Sequence, residues 1–340
     1  MTAVSQRAQR LYEDSIIIDG LNVSDWESDN VYQSLNNGGV TAINATIATW
    51  ENFRETLDHI SKWLVRFRER SDQIIQVETV ADIHRAKREG KTGVILGWQN
   101  TSPIENDLNR LELFHRLGVR VAQVTYHERN LLGDGCMERV DGGLTNFGVD
   151  AVKEMNRVGI LVDLSHVGMA TTMESIEVSD KPVAITHANA KSYYDHRRNK
   201  TDDAIKLMAE KGGVIGSTCI RTFLRNFTTA TLDDYLDAID HLVDMIGIDH
   251  VAIGTDHTQD QTDEFWRYIG SQQGTKFPSS FTVVDEKPKP WQDHYPDEFT
   301  TPDQFSVMSQ ALLDRGYSDE DVVKILGGNW LRVFGEVWVK

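Results

Sequence analysis

The chain has 340 residues, 40% of them apolar, enough to bury a large core as one barrel or as two modest domains. Its 35 Lys and Arg against 52 Asp and Glu leave a formal charge of −17 with no Lys/Arg-rich run, which argues against a nucleic-acid partner. Two cysteines, Cys136 and Cys219, make no disulfide framework. The start MTAVSQRAQRLYEDS has no apolar leader core and no apolar run reaches membrane length, so an unprocessed cytoplasmic protein that does not span a membrane is expected.

In chain order, strand-length apolar runs fall at 16–22, 39–46, 93–100, 119–127, 160–167, 182–189, 213–219 and 251–258. Between them lie stretches with helical spacing at 51–70, 106–118, 145–159, 170–180, 201–212 and 231–247, several closing on a glycine before the next strand. Apolar strands alternating with amphipathic helices predict a parallel sheet, and eight such units predict closure into a (β/α)8 TIM barrel. The alternative, an open doubly wound sheet, lacks a Gly-rich phosphate fingerprint after the first strand. One domain over 1–340 is expected, with a long loop insertion at about 257–301 and C-terminal helices at about 303–336. A shorter Gly- and Asp-rich excursion covers 128–146, and the longer loop suits a lid or a homo-oligomer contact.

In such a barrel the functional side chains project from the carboxyl ends of the strands. The polar residues there are Asn22, Gln99, Asn100, Tyr126, His127, Asp163, His166, His187, Asp256 and His257. His166 and His187 end consecutive strands behind apolar runs, which makes them a partial site for zinc or another divalent metal. Asp256 ends the eighth strand in an apolar setting, where a carboxylate needs a partner; it suits general acid–base duty. A single histidine of this kind is as readily a core residue. Two on neighbouring strands share one mouth.

The segments GLTNFGVDAVKEMNRVGILVDLSHVG, PVAITHANA, HRRNKTDD, HVAIGTDHT and GGNWLRVF resemble the membrane (renal) dipeptidase family, metallopeptidases on an amidohydrolase-type barrel. The resemblance implies a hydrolase. It also implies that His166 and His187 are metal ligands, that Arg198 in the RRN segment holds a substrate carboxylate, and that Asp256 serves the catalytic water. Where the family shows DGHND, however, this chain reads Asp19-Gly20-Leu21-Asn22-Val23, so both first-strand ligands are replaced by apolar residues. The family's bridging Glu corresponds to Gln99, a neutral amide. A histidine that steadies the family's tetrahedral intermediate corresponds to Tyr126, with His127 beside it.

Three readings follow. The first is a dipeptidase-like hydrolase with one divalent metal, zinc by preference, on His166 and His187 with help from Gln99, cleaving an amide-type bond in a small carboxylated substrate. Asp256, Tyr126 and His127 are then the catalytic candidates, and Arg198, Trp98, Asn22 and Asn100 the substrate-binding ones. The second is a lyase, decarboxylase or isomerase in which the same histidines and Asp256 act directly as acids and bases. The third is an inactive homologue that only binds a small molecule. Trp26, Trp50 and Trp98 follow the first three strands, and with Tyr126 they suit either packing of the mouth or an aromatic wall for an apolar or cationic amine group.

Overall fold

The computed structural model describes residues 4–271, 273–274 and 289–338. Its sheet runs β1 (Ile18–Asn22), β2 (Ala42–Ala48), β4 (Thr92–Trp98), β5 (Val119–Gln123), β6 (Leu161–Asp163), β7 (Ala184–Ile185), β8 (Val214–Ser217) and β9 (Val251–Ile253), every neighbouring pair parallel. A bridge between Asn22 and His257, with the Val23 amide donating to the His257 carbonyl at 2.7 Å, joins the ends into a barrel. All eight expected strands are present. A further strand, β3 (Ile74–Gln76), pairs with the start of β4, beside which β5 reaches only Leu96–Trp98. Three residues are too few to show alternation, so no pattern announced it.

The outer layer contains α3 (Phe53–Glu69), α5 (Asn109–Arg116), α6 (Asn146–Val158), α7 (Met169–Val178), α8 (Asp202–Glu210) and α9 (Leu232–Ile246), all anticipated by helical spacing. Local chemistry fixes their ends. Asn52 and Thr231 close capping boxes with Glu55 and Asp234, and Gly159 takes the left-handed conformation (φ 88°) that ends α6 before β6. Four helices lacked a clear sequence signal: α1 (Gln6–Asp14), α2 (Asp29–Asn37), α4 (Val80–Glu89) and α10 (Asp263–Ile269). The last lies in the long loop, of which residue 272 and residues 275–288 fall outside the described residues.

Two apolar layers hold the barrel. The larger lies between sheet and helices. The smaller takes one residue from each barrel strand, Ile18, Ala42, Ile95, Val121, Leu161, Ala184, Val214 and Ala252, against Trp330, Val333 and Phe334 of α13 (Asn329–Val337). The Trp330 indole donates to the Ile253 carbonyl at 3.0 Å, and a Cβ on Gly20 would meet its ring at 2.4 Å. The C-terminal helix therefore plugs the lower end of the barrel, and the polar strand ends are left at the other end. The expected C-terminal pair is α11 (Val307–Asp314) and a second segment broken into α12 (Asp319–Val323), a π-turn at Lys324–Gly328 and α13. Gly327 sits in that turn, where a Cβ would lie 2.2 Å from the Ile16 carbonyl oxygen.

Candidate active site

Four strand ends converge above the apolar plug. β5 runs out into Tyr126 and His127, β6 into Ser165 and His166, β7 into Thr186 and His187, and β9 into Thr255 and Asp256. The His166 and His187 ring centres lie 5.0 Å apart. Tyr126 stacks on His166 at 4.1 Å, His127 lies 4.5 Å from Tyr126, and Trp50 stands edge-on to both at 5.0 and 5.2 Å. Burial, reinforced by the Arg198 charge, holds His166 and His187 well below the usual imidazole range and pushes His127 down to about 3. All three rings are therefore neutral at pH 7. Among the described residues His166 Nδ1 and His187 Nε2 have no hydrogen-bond partner.

Arg198 is buried behind the two histidines, donating from Nη1 to the Ser165 carbonyl at 2.6 Å and from Nη2 to the His187 carbonyl at 3.0 Å, with its guanidinium over the Phe223 ring. It pins the strand ends that carry the rings. Each terminal nitrogen has a second N–H beyond these bonds. Lys200, buried nearby, donates from Nζ to the Val167 carbonyl at 2.5 Å and to Thr172 Oγ1 at 3.3 Å, and burial pushes it down to about 7. Nothing in the RRNK turn signals this lysine's burial, since a charged residue there ordinarily faces water.

Asp256 adopts a left-handed backbone (φ 60°), a conformation Asp tolerates better than most residues. Its amide donates to the Leu21 carbonyl and its carbonyl accepts from the Tyr295 hydroxyl at 2.7 Å, so the turn is held from both sides of the barrel seam. Burial raises its carboxyl to about 7; Arg198 opposes the rise, and Asp19 and Asp163 add to it. His257 turns away from the mouth into Tyr295, Phe299 and Phe305, where Nε2 bonds the Phe299 carbonyl.

The remaining sequence candidates lie elsewhere. Trp98 does not face the mouth: it packs edge-on against Phe114 of α5 at 4.9 Å and belongs to the layer between sheet and helices, because strand alternation sends it outward while Gln99 turns in. Trp26 packs on Trp63, so the three tryptophans form no common wall, and Trp50 alone meets Tyr126. Asn22 spends its amide on the seam, donating to Asp19 and accepting from the Ser24 amide. Gln99 donates to Thr46 Oγ1, and among the described residues its Oε1 has no partner. Asn100 accepts from Thr101 and Asn130 and lines, with Trp50, a neighbouring cavity of about 410 Å³.

The two imidazoles are the donors here that could hold a metal ion. A ring-centre spacing of 5.0 Å and two unpartnered nitrogens let both imidazoles share an ion. Yet among the described residues no three His, Cys, Asp or Glu side chains gather as a metal group. At the end of β1 the buried Leu21 and Val23 offer no donor, and Gln99 offers only an amide.

Comparison with known proteins gives this barrel its lineage. The family description "Membrane dipeptidase (Peptidase family M19)" matches residues 5–267. The chain belongs to the membrane dipeptidase family. That membership places it among metal-dependent hydrolases built on the amidohydrolase barrel. It is 30% identical over 295 residues to the dipeptidase verJ of Clonostachys rogersoniana, a match covering 85% of this chain and 67% of that protein. It is also 30% identical to the dipeptidase aclJ of Aspergillus oryzae, of whose length it spans only 57%. The crystal structure of an amidohydrolase from Pseudomonas aeruginosa superposes with a TM-score of 0.92 at 38% identity, covering 97% of this chain and 99% of that one. Against the ligand pattern that the resemblance to membrane dipeptidases implies, the β6–β7 half is kept and the β1–β4 half is not.

Proposed function

We propose that the chain hydrolyses an amide-type bond in a small substrate bearing a carboxylate, as a dipeptidase-like enzyme working with one divalent metal ion. The observation that carries this reading is the gathering of His166, His187, Tyr126, Arg198 and Asp256 around one mouth. When bound on His166 and His187, the ion would lower the pKa of a water and polarise a carbonyl. Arg198 presents its remaining N–H groups to the substrate carboxylate, and its fork suits bidentate binding. The Tyr126 hydroxyl has no partner among the described residues and stands over His166, placed to donate to a developing oxyanion. Asp256, with its carboxyl near pH 7, takes a proton from water and returns it to the leaving amine.

Leu21, Val23 and Gln99 support a second reading, acid–base chemistry by the same residues in a lyase, decarboxylase or isomerase. Elemental analysis of the purified protein, joined to an assay against dipeptides and N-acyl amino acids, separates the two. One equivalent of metal with amide hydrolysis that Asp256→Asn lowers by about 10²- to 10⁴-fold is expected; stoichiometric metal with no hydrolysis, or hydrolysis unaffected by Asp256→Asn, overturns the proposal.

A further inference from the structure

The hydrogen bonds behind His187 determine which of its nitrogens carries the proton. Asp163 Oδ1 accepts from the Ser165 amide at 3.1 Å, the Ser165 hydroxyl at 2.6 Å and the Thr186 amide at 2.9 Å. Its Oδ2 accepts from the Thr186 hydroxyl at 2.7 Å. A hydroxyl has one proton to give, and Thr186 gives it to Asp163. The same Oγ1 lies 2.8 Å from His187 Nδ1, where it can then only accept. Ser165 cannot supply that proton either, since its own goes to Asp163 and its oxygen accepts from the His187 amide at 3.0 Å. His187 Nε2 is buried and has no partner among the described residues.

We infer that Asp163 and Thr186 are positioning residues: as a carboxylate–hydroxyl relay they hold His187 with its proton on Nδ1, so that Nε2 presents a lone pair to the mouth. The competing arrangement puts a proton on Asp163, reverses the Thr186 hydroxyl and moves the ring proton to Nε2. Burial raises the Asp163 carboxyl, but four hydrogen bonds donated to it, two of them from main-chain amides aimed at Oδ1, pull the other way, favour the ionised carboxylate and so oppose that arrangement. Such relays orient histidines whose other nitrogen has work to do. The inference rests on reading His187 as a working group of the site, but it fails or stands by the position of a proton, whatever the enzyme cleaves.

The barrel carries an internal control. Across the seam between β9 and β1, Asp19 accepts from the Thr255 amide at 2.8 Å, the Thr255 hydroxyl at 2.7 Å, the Leu21 amide and Asn22 Nδ2. The geometry of Asp163 and Thr186 is repeated, but Thr255 Oγ1 accepts from the His257 main-chain amide and no imidazole is attached. Loss of the hydroxyl at the two seams should therefore cost similar hydrogen bonding and differ in its effect on His187.

The test is nitrogen NMR of the full-length protein, stripped of metal with a chelator so that both His187 nitrogens are free to titrate between tautomers, and labelled with ¹⁵N-histidine, the His187 signals assigned by their loss in His187→Gln. In the wild type a protonated, pyrrole-type Nδ1 is expected, and a proton on Nε2 overturns the inference with no variant needed. Thr186→Val should shift the tautomer ratio by about five- to tenfold toward Nε2–H, the equivalent of one hydrogen bond. Thr186→Ser should restore it, and Thr255→Val should leave it unchanged. An unaltered ratio in Thr186→Val, or an equal shift in Thr255→Val, overturns it.

Discussion

The two halves of the barrel mouth are built on different principles. On the β6–β7 side, imidazoles, a guanidinium and an ammonium are buried together, and main-chain carbonyls and the Asp163 carboxylate hold them in place. On the β1–β4 side the corresponding depth is filled by Leu21 and Val23, with the neutral amide of Gln99 above Thr46. One half keeps charged and ligating groups at considerable desolvation cost, which a protein retains where chemistry needs them. The other replaces the ligating positions with Leu21, Val23 and Gln99, and its buried carboxyl, Asp19, is occupied by hydrogen bonds across the β9–β1 seam. On the proposed function the reaction belongs to the β6–β7 side of the mouth, and that contrast can be broken experimentally.

The largest expected effect is at His166. His166→Ala should abolish turnover and remove any metal found in the wild type, both measurable on one preparation; retained activity would mean the β6–β7 side is not the reacting half. Next comes Asp256→Asn, which should lower kcat by about 10²- to 10⁴-fold. The rise in wild-type activity through about pH 7, where the carboxylate forms, should vanish with it, while the melting temperature should not fall, because Asn accepts the left-handed backbone and removes a buried acid.

Trp98→Ala tests the outward placement of that ring. It should cost about 3–5 kcal/mol in denaturant unfolding, as for other buried aromatics, and leave KM unaltered; a changed KM with intact stability would return Trp98 to the mouth. The last effect, spread over several pH units, concerns Lys200. Because its folded pKa lies near 7, below that of the unfolded chain, the unfolded state binds the extra proton between about pH 7 and 10. The stability penalty is therefore complete below pH 7 and relieved as pH rises. Wild-type stability should gain up to about 1.4 kcal/mol per pH unit over this window relative to Lys200→Met. Parallel pH profiles for the two proteins would show that Lys200 is not buried as a strained cation.

Much of this was readable in the chain. Eight apolar runs became eight strands, and His166, His187, Tyr126 and Asp256 could be singled out because a polar residue ending an apolar strand is conspicuous. The short β3 and helices α1, α2, α4 and α10 were not legible, since their periodicity is brief or their stabilising contacts come from afar; α1, for example, buries Ala8 and Tyr12, whose hydroxyl donates to the distant Gly38 carbonyl. Trp98 was misplaced because a strand's exit residue can face either way until its register is fixed, one step reversing the side.

By itself, then, the sequence determined the alternation of strands and helices and the residues that stand at the strand ends, because hydrophobic period and punctuation are local properties of the chain. Only the tertiary structure decided that Arg198 and Lys200 are buried, that Trp98 faces the helices, and that Thr186 stands between Asp163 and His187. Those outcomes depend on desolvation and on proton-by-proton hydrogen bonding between residues distant in the chain, and no spacing of letters records either.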